Sequence, residues 1–328
     1  MSEETRIGVV VIGRNEGARL IACLASLSGS TRPPGRIVYV DSGSTDGSVA
    51  AARRLGAQVV ELDTGLPFTA ARARNAGIAA LEAEDAPDLV QFVDGDCEVR
   101  PDWIAEATAF LADHPDAAVV CGRRRERHPD ASPYNRLCDV EWDTPVGRAR
   151  ACGGDALMRM AALRAVGGFD PNLIAGEEPE LCVRLRAAGW EVWRIDVEMT
   201  LHDADMTRFP QFWRRARRGG HAYAEGAAMH GGPPERHGVA GQRRAILWGI
   251  VLPLATLAAV IATGAWGLLL LLVYPAQIAR LARRYGGGRQ AWIRAALLTA
   301  GKFAEARGVM DYHLSRLGGR RMKLIEYK

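Results

Sequence analysis

The sequence predicts an α/β fold: a mostly parallel sheet with helices on both faces, followed by an α-helical C-terminal region that meets a membrane. Three observations carry this expectation. Over residues 1–207, short apolar runs that read as buried strands alternate with segments of helical spacing. Acidic side chains stand just after several of those runs, where open α/β sheets bind ligands. Residues 245–279 contain no charged side chain at all.

Residues 7–12 are an unbroken apolar run and read as the first buried strand. A helix is expected over 16–27, with Leu20, Cys23, Leu24 and Leu27 on one face. Residues 37–40 form a second short strand ending at Asp41, and Asp46 caps a helix over 49–55 that Gly56 stops. A third strand at 57–62 and a long helix at 69–83 follow. The fourth strand, 89–93, runs into Asp94-Gly95-Asp96. Beyond it come a helix at 101–112, a strand at 118–121 and a polar, arginine-rich stretch. A helix over 176–188 carries Leu181, Leu185 and Ala188 on one face and ends at Gly189, with strand character at 191–195 and again at 197–201. No internal repeat is visible. The Gly/Pro/His-rich segment 231–238 reads as a flexible link.

Across 328 residues, 48% are hydrophobic and 24% charged, which excludes a disordered or collagen-like chain. The formal net charge of +4 is a cancellation: residues 1–207 hold 22 basic and 33 acidic side chains, residues 208–328 hold 20 and 5. Such asymmetry points to a basic region meeting nucleic acid or anionic lipid. The six cysteines include no CxxC pair and no histidine cluster has zinc spacing, so no zinc site and reduced thiols are expected. The acidic N-terminus, running into a strand, does not read as a signal peptide.

The uncharged stretch settles the partner of the basic half. As one straight helix its 35 residues would measure about 52 Å, against a hydrocarbon core of about 30 Å. Thr263-Gly264-Ala265-Trp266-Gly267 interrupts it, Pro253 and Pro275 bend it, and arginines flank both ends. Positive flanks stay cytoplasmic, so a hairpin of two short helices, crossing or re-entering the membrane, is expected, with a single tilted span or a buried helical pair as the alternatives. Residues 209–220 set Phe209, Phe212 and Trp213 beside Arg214, Arg215, Arg217 and Arg218, as in a helix lying at anionic headgroups. No RNP, KH or zinc-finger pattern supports nucleic acid. Four regions result: 1–207, the sheet domain; 208–244, a basic interfacial helix and linker; 245–279, the hairpin; and 280–328, an amphipathic basic end.

The polar loops carry the chemistry. Asp94-Gly95-Asp96 places two carboxylates at one strand end; their repulsion is offset by a divalent cation, which oxygen ligands hold and which also bridges diphosphates. Asp41-Ser-Gly-Ser-Thr-Asp46-Gly is a second such turn, open to ordinary loop chemistry as well. Arg74 lies on a helix of small residues, either as a surface arginine or as a partner for phosphate or base. A nucleotidyltransferase would carry a longer Gly-rich basic loop than Gly13-Arg14-Asn15-Glu16-Gly17 offers.

The ordered set Gly13-Arg14-Asn15-Glu16, Asp41 to Gly47, Ala73-Arg74-Asn75 and Asp94-Gly95-Asp96 resembles the nucleotide-sugar half of family-2 inverting glycosyltransferases. Gly153-Gly154-Asp155, Gly167-Gly168-Phe169-Asp170 and Gly176-Glu177-Glu178-Pro-Glu180-Leu-Cys-Val-Arg184 are similar to their acceptor-side and base motifs, and the resemblance covers roughly residues 6–207. It implies a GT-A fold and transfer from a nucleoside-diphosphate sugar, a UDP-sugar being favoured, with Mn2+ or Mg2+. Asp41 would contact nucleobase or ribose, helped by Gly13, Arg14, Asn15, Glu16 and Arg74. Gly153 and Gly154 also count among the donor-binding residues. Asp94, Asp96 and His202 would hold the metal, His202 having a structural alternative. The family's Gly-Glu-Asp is Gly-Glu-Glu here, so the general base is Glu178 or Glu177. Glu180 is expected to pair with Arg184, and Trp142 either to pack or to wall the acceptor. Gln211-Phe-Trp-Arg214-Arg215 departs from the Gln-x-x-Arg-Trp motif of membrane-bound polymerases, which argues against processive synthesis. The implied role is transfer to a lipid-linked or saccharide acceptor in cell-surface polysaccharide or glycolipid assembly, at the cytoplasmic face of the inner membrane.

Overall fold

The computed structural model describes residues 5–319; residues 1–4 and 320–328, with the ends of the first and last expected regions, lie outside the described residues. The chain divides into two compact units, residues 1–129 with 138–205 and residues 130–137 with 206–328.

The first unit is built on one mixed sheet. In chain order it comprises β1 (Ile7–Gly13), α1 (Ala18–Ser28), β2 (Arg36–Asp41), α2 (Ser48–Arg54), β3 (Gln58–Glu61), α3 (Ala70–Glu82), β4 (Leu89–Asp94), β5 (Cys97–Val99), α4 (Trp103–Asp113) and β6 (Ala117–Glu126). The helix α5 (Pro133–Glu141) precedes β7 (Gly147–Arg148), β8 (Ala156–Arg159), α6 (Met160–Val166), α7 (Glu177–Ala187) and β9 (Glu191–His202). The strand order is β3-β2-β1-β4-β8-β6-β9-β5, with β7 also on β9. β1, β2, β3 and β4 run parallel, whereas β8 is antiparallel to both β4 and β6. Val9, Val10, Val11, Val38, Tyr39, Val40, Val90 and Phe92 are all buried, as strands covered on both faces require.

Register brings the polar ends together. Gly13 pairs with Asp41 and Ile12 with Asp94. Cys97 pairs with His202, and Glu126 pairs with His202 from the other side. Gly77 lets α3 lie close on β1, because a Cβ there would strike Val10. That approach sets Arg74, one turn earlier, at the strand ends.

Several elements differ from expectation. The arginine-rich stretch after residue 121 is the second half of β6, and the two expected strands after residue 190 are one, β9. The short β5, β7 and β8 and the helices α5 and α6 went unread; strands of two to four residues are too short to show a period.

The second unit is helical: α8 (Phe209–His230), α9 (Val239–Ile246), a π-helical turn (Leu247–Val251), α10 (Leu252–Thr263), a 3-10 stretch (Gly264–Leu272), α11 (Val273–Arg284) and α12 (Arg289–Leu317). Gly220 and Gly308 lie at the α8–α12 contact, where a Cβ on either would meet the other helix's backbone. Among the described residues, Val239–Arg284 is the one helical run long and apolar enough to cross a membrane, and 11% of its most apolar window is buried. The run doubles back at Gly264, whose φ of 66° suits glycine. Gly267 then packs on the backbone of Ala259 and Val260, and the Tyr274 hydroxyl donates to the Trp248 carbonyl at 2.8 Å. Leu254, Leu257, Ile261, Trp266 and Leu268 to Leu272 are exposed on the resulting apolar hairpin.

Candidate active site

The loops after β1 and β2 are knitted to each other. Asn15, at φ 56°, receives Thr45 N–H on Oδ1 at 2.7 Å and donates its own N–H to Ser44 Oγ at 2.9 Å. Arg14 lies over the Phe68 ring, and Glu16 pairs with Arg19 at 2.9 Å. Asp41, expected to face a nucleobase or ribose, is buried and bonded within its own loop. Its Oδ1 accepts from the Tyr39 hydroxyl at 2.9 Å, and its Oδ2 from Gly43 and Ser44 N–H at 2.9 and 2.8 Å, bonds that shape the turn.

At the end of β4, Asp94 sits between two arginines. Arg74 Nη2 is 3.1 Å from Oδ1 and Arg124 Nη2 is 3.0 Å from Oδ2. These two cations outweigh burial and hold the Asp94 carboxyl well below the usual range. Asp155 buttresses the pair: Oδ1 accepts Asp94 N–H at 3.1 Å, Oδ2 accepts the Thr200 hydroxyl at 2.7 Å, and Arg124 Nε lies 3.4 Å away. Gly154 is packed here without a side chain; a Cβ would lie 2.7 Å from Asp94 Oδ2 and 2.9 Å from Arg74 Nη2. Gly153 beside it faces open space.

Arg74 is 2% exposed, so it is not a surface arginine. Its Nη1 donates to Glu177 Oε1 at 2.9 Å, and Nη2 lies 2.8 Å from Glu178 Oε1. Both glutamates belong to the first turn of α7, which Gly176 enters at φ 81°. Glu177 is fully buried, whereas the Glu178 side chain keeps 13% exposure. Burial pushes the Glu178 carboxyl up to about 7, with Glu177 and Asp94 adding to the rise against the pull of Arg74. The expected Glu180–Arg184 pair is present, two-pronged at 2.7–3.0 Å.

His202 ends β9 with Nε2 3.4 Å from Asp96 Oδ2 and Nδ1 3.6 Å from Glu126 Oε2. The Trp142 ring meets it edge-on at 4.7 Å and also lies under Arg124. Burial lowers the His202 pKa, which keeps the imidazole neutral and able to offer a lone pair. Of the three expected metal ligands, then, Asp96 and His202 converge while Asp94 is held by arginines. Cys97 lies within reach of Asp96 and His202, but burial raises its thiol well above the ordinary value, so it stays protonated. Sequence reasoning missed Arg124 and Glu126, which sit in the part of β6 that reads as a polar loop. Asp155 stands in a Gly-Gly-Asp motif that does not by itself reveal its place beside Asp94 and Arg124.

A glycosyl transferase family 2 model matches residues 8–160. An N-acetylglucosaminyl-diphospho-decaprenol L-rhamnosyltransferase of Mycobacterium tuberculosis is 30% identical over 237 residues, 61% of this chain and 76% of that one. The chain belongs to glycosyl transferase family 2. A second family relative, the succinoglycan biosynthesis protein ExoA of Rhizobium meliloti, is 28% identical over 219 residues, covering 63% of this chain and 66% of its own, just under two thirds. Among solved structures, the mannosyltransferase PcManGT from Pyrobaculum calidifontis, in complex with GDP-Man and Mn2+, aligns with a TM-score of 0.65 over 94% of this chain and 88% of that chain. At 22% identity that likeness concerns the fold, which is GT-A with a helical C-terminal region.

The residues present fit a divalent cation. Two ligand atoms on adjacent corners of an octahedron with bonds near 2.1 Å stand about 3.0 Å apart, and Asp96 Oδ2 and His202 Nε2 are 3.4 Å apart. Glu126 Oε2 faces Nδ1 from 3.6 Å, beyond hydrogen-bond length but on the side from which a carboxylate orients a ligating imidazole.

Proposed function

We propose that this family-2 chain transfers a sugar from a nucleoside-diphosphate sugar to an acceptor hydroxyl by a single inverting displacement, with Glu178 as general base. The observation that carries this is the state of Glu178. It is more exposed than Glu177 beside it, has its pKa raised to about 7, and is tied through one guanidinium nitrogen to Asp94 of the Asp-x-Asp loop. A positioned carboxylate of matched pKa contributes roughly 10²–10⁴-fold to such a proton transfer.

Asp96 and His202 would hold Mn2+ or Mg2+, which supplies charge stabilisation for the departing diphosphate. A relative named for a decaprenol-linked substrate and another named for succinoglycan biosynthesis support a lipid-linked or saccharide acceptor in polysaccharide or glycolipid assembly. The basic and apolar second unit supports attachment to the inner membrane, with the catalytic unit on the cytoplasmic side where nucleotide sugars are found. The test is a screen of UDP-, GDP- and dTDP-sugars, UDP-sugars first, for nucleotide release with Mn2+ or Mg2+ and membrane lipid extract. Release abolished by EDTA and by Asp96→Asn is the expected result. No metal-dependent release from any donor overturns the reading.

A further inference from the structure

We infer that Arg74 is a positioning residue that fixes the general base to the donor side of the site: its Nη2 is shared between Glu178 and Asp94 while its Nη1 anchors Glu177. The inference rests on the function proposed above and gives Arg74 a part in the chemical step that donor binding alone would not give it.

Three features argue for it. The first is the convergence itself. One planar group on α3 meets carboxylates from the end of β4 and from the first turn of α7 at 2.8–3.1 Å, three acids on one cation. A planar fork can hold several carboxylate oxygens at fixed angles, whereas an ammonium offers a point charge. The second is how rigidly α3 presents it. The next residue, Asn75, makes two bonds to Phe169, donating to its carbonyl at 2.7 Å and accepting its N–H at 2.9 Å. The Phe169 ring then lies 5.5 Å from the Arg74 guanidinium, and the bare Gly154 backbone fills the space beside Nη2. The third is the division of labour between the glutamates. Arg74 takes Glu178 through Oε1, which leaves Oε2 to receive the acceptor's proton, while the bond to buried Glu177 fixes the helix turn that carries both. A base must be held within hydrogen-bond reach of the proton it takes, and small misplacements are costly in rate.

The test uses the full-length protein with whichever donor the wild type turns over; a wild type without turnover sinks the proposed function and is read separately. Arg74→Lys and Arg74→Ala are compared with wild type by kinetics and by thermal melting. The expected result is a kcat lowered at least 100-fold in both variants, with donor KM changed less than threefold. Millimolar guanidinium should restore at least tenfold of the lost kcat in Arg74→Ala while leaving wild type and Glu178→Gln unaffected. A rise in donor KM with kcat retained would make Arg74 a donor-binding residue and overturn the inference. A folded Arg74→Ala that guanidinium does not rescue would overturn it too. Should Arg74→Ala melt early, the kcat-to-KM split in Arg74→Lys decides alone.

Discussion

Glu126 Oε2 lies 3.6 Å behind Nδ1 of His202, on the far side of the ring from Asp96. The same oxygen accepts the Ala204 N–H at 3.1 Å, and Oε1 accepts that of His128 at 3.1 Å, so the carboxylate is fixed by the backbone before it meets the imidazole. Outer partners of this kind typically contribute 10- to 100-fold to metal affinity. Glu126→Gln keeps the shape but loses the charge and one of the two backbone acceptors, since its amide nitrogen then faces a backbone N–H. Its Mn2+ affinity, followed by electron paramagnetic resonance of the free ion, should fall roughly 10- to 100-fold, beside a stability loss of about 1–3 kcal/mol from the unmatched N–H. Unchanged affinity would separate Glu126 from the cation.

Gly153 and Gly154 make a matched pair of tests. A methyl group at 154 would press on Asp94 and Arg74 at 2.7 and 2.9 Å, whereas at 153 it meets nothing within 4 Å. Gly154→Ala should cost about 1–3 kcal/mol of stability by overpacking and lower kcat at least tenfold, because it moves both partners of the Asp94–Arg74 ion pair. Gly153→Ala should stay within about 0.5 kcal/mol of wild type and keep its rate. Urea melts and steady-state kinetics on the two variants check this, and equal behaviour would refute the packing argument.

Much of this arrangement could be read in the sequence because it sits at strand ends. Asp94, Asp96 and the α7 glutamates follow apolar runs or open a helix, and those patterns are local. Arg124 and Glu126 could not be found in that way. After Cys121 the strand β6 continues as Gly-Arg-Arg-Arg-Glu; Arg125 stays exposed, while Arg123, Arg124 and Glu126 are covered against Asp94, Asp139, Asp155 and the His202 end of β9. Their burial depends on Asp94 and Asp155, about 30 residues from Arg124, and on His202, 76 residues from Glu126, and no local hydrophobic period records it. For Asp41 the motif is legible, whereas the bond its Oδ1 accepts from the Tyr39 hydroxyl, two residues earlier in the same strand, is not. Arg74 was recognisable as unusual on a helix of small residues; what it touches depends on how β4 and α7 are placed, which spacing alone does not reveal.

Glu178 links rate to pH and to stability with opposite signs. As a base it must be ionised, and with a pKa of about 7 it is about one-tenth ionised at pH 6. The kcat/KM profile should therefore climb through an acid limb centred near 7, and the limb should vanish with Glu178→Gln along with roughly 10²–10⁴-fold of the rate. The stability effect runs the other way. The folded pKa lies above the ordinary glutamate value of 4.5, so the folded state binds the extra proton. The contribution is fully present below about 4.5 and is lost as pH rises through about 7. At pH 8 the buried charge is a burden, and Glu178→Gln should be more stable than wild type by roughly 1–3 kcal/mol, the difference shrinking towards pH 5. A variant less stable at pH 8 would show that Glu178 is not held in this strained state.

The apolar hairpin provides a test of membrane attachment that is independent of the chemistry. Ile261 near its tip and Leu270 on the returning arm are exposed, so a polar replacement there disturbs no packed neighbour. A charged residue in the centre of an apolar helix costs about 2.5–3.5 kcal/mol on insertion. If the hairpin enters lipid, Ile261→Arg with Leu270→Arg should lower flotation with phosphatidylcholine vesicles at least tenfold while the melting temperature of the detergent-solubilised protein holds. The basic helices around it add a second, separable contribution. Arginines 214, 215 and 218 on α8 and 280, 283 and 284 on α11 would favour anionic lipid by electrostatics, which salt screens and hydrophobic burial does not feel; Arg217 is paired with Asp311. Raising phosphatidylglycerol in the vesicles should therefore strengthen binding of the doubly substituted protein, and moderate salt should remove that gain. Wild-type binding, anchored mainly by the hairpin, should survive the same salt. Flotation of the double variant equal to wild type on neutral vesicles would place the hairpin outside the bilayer.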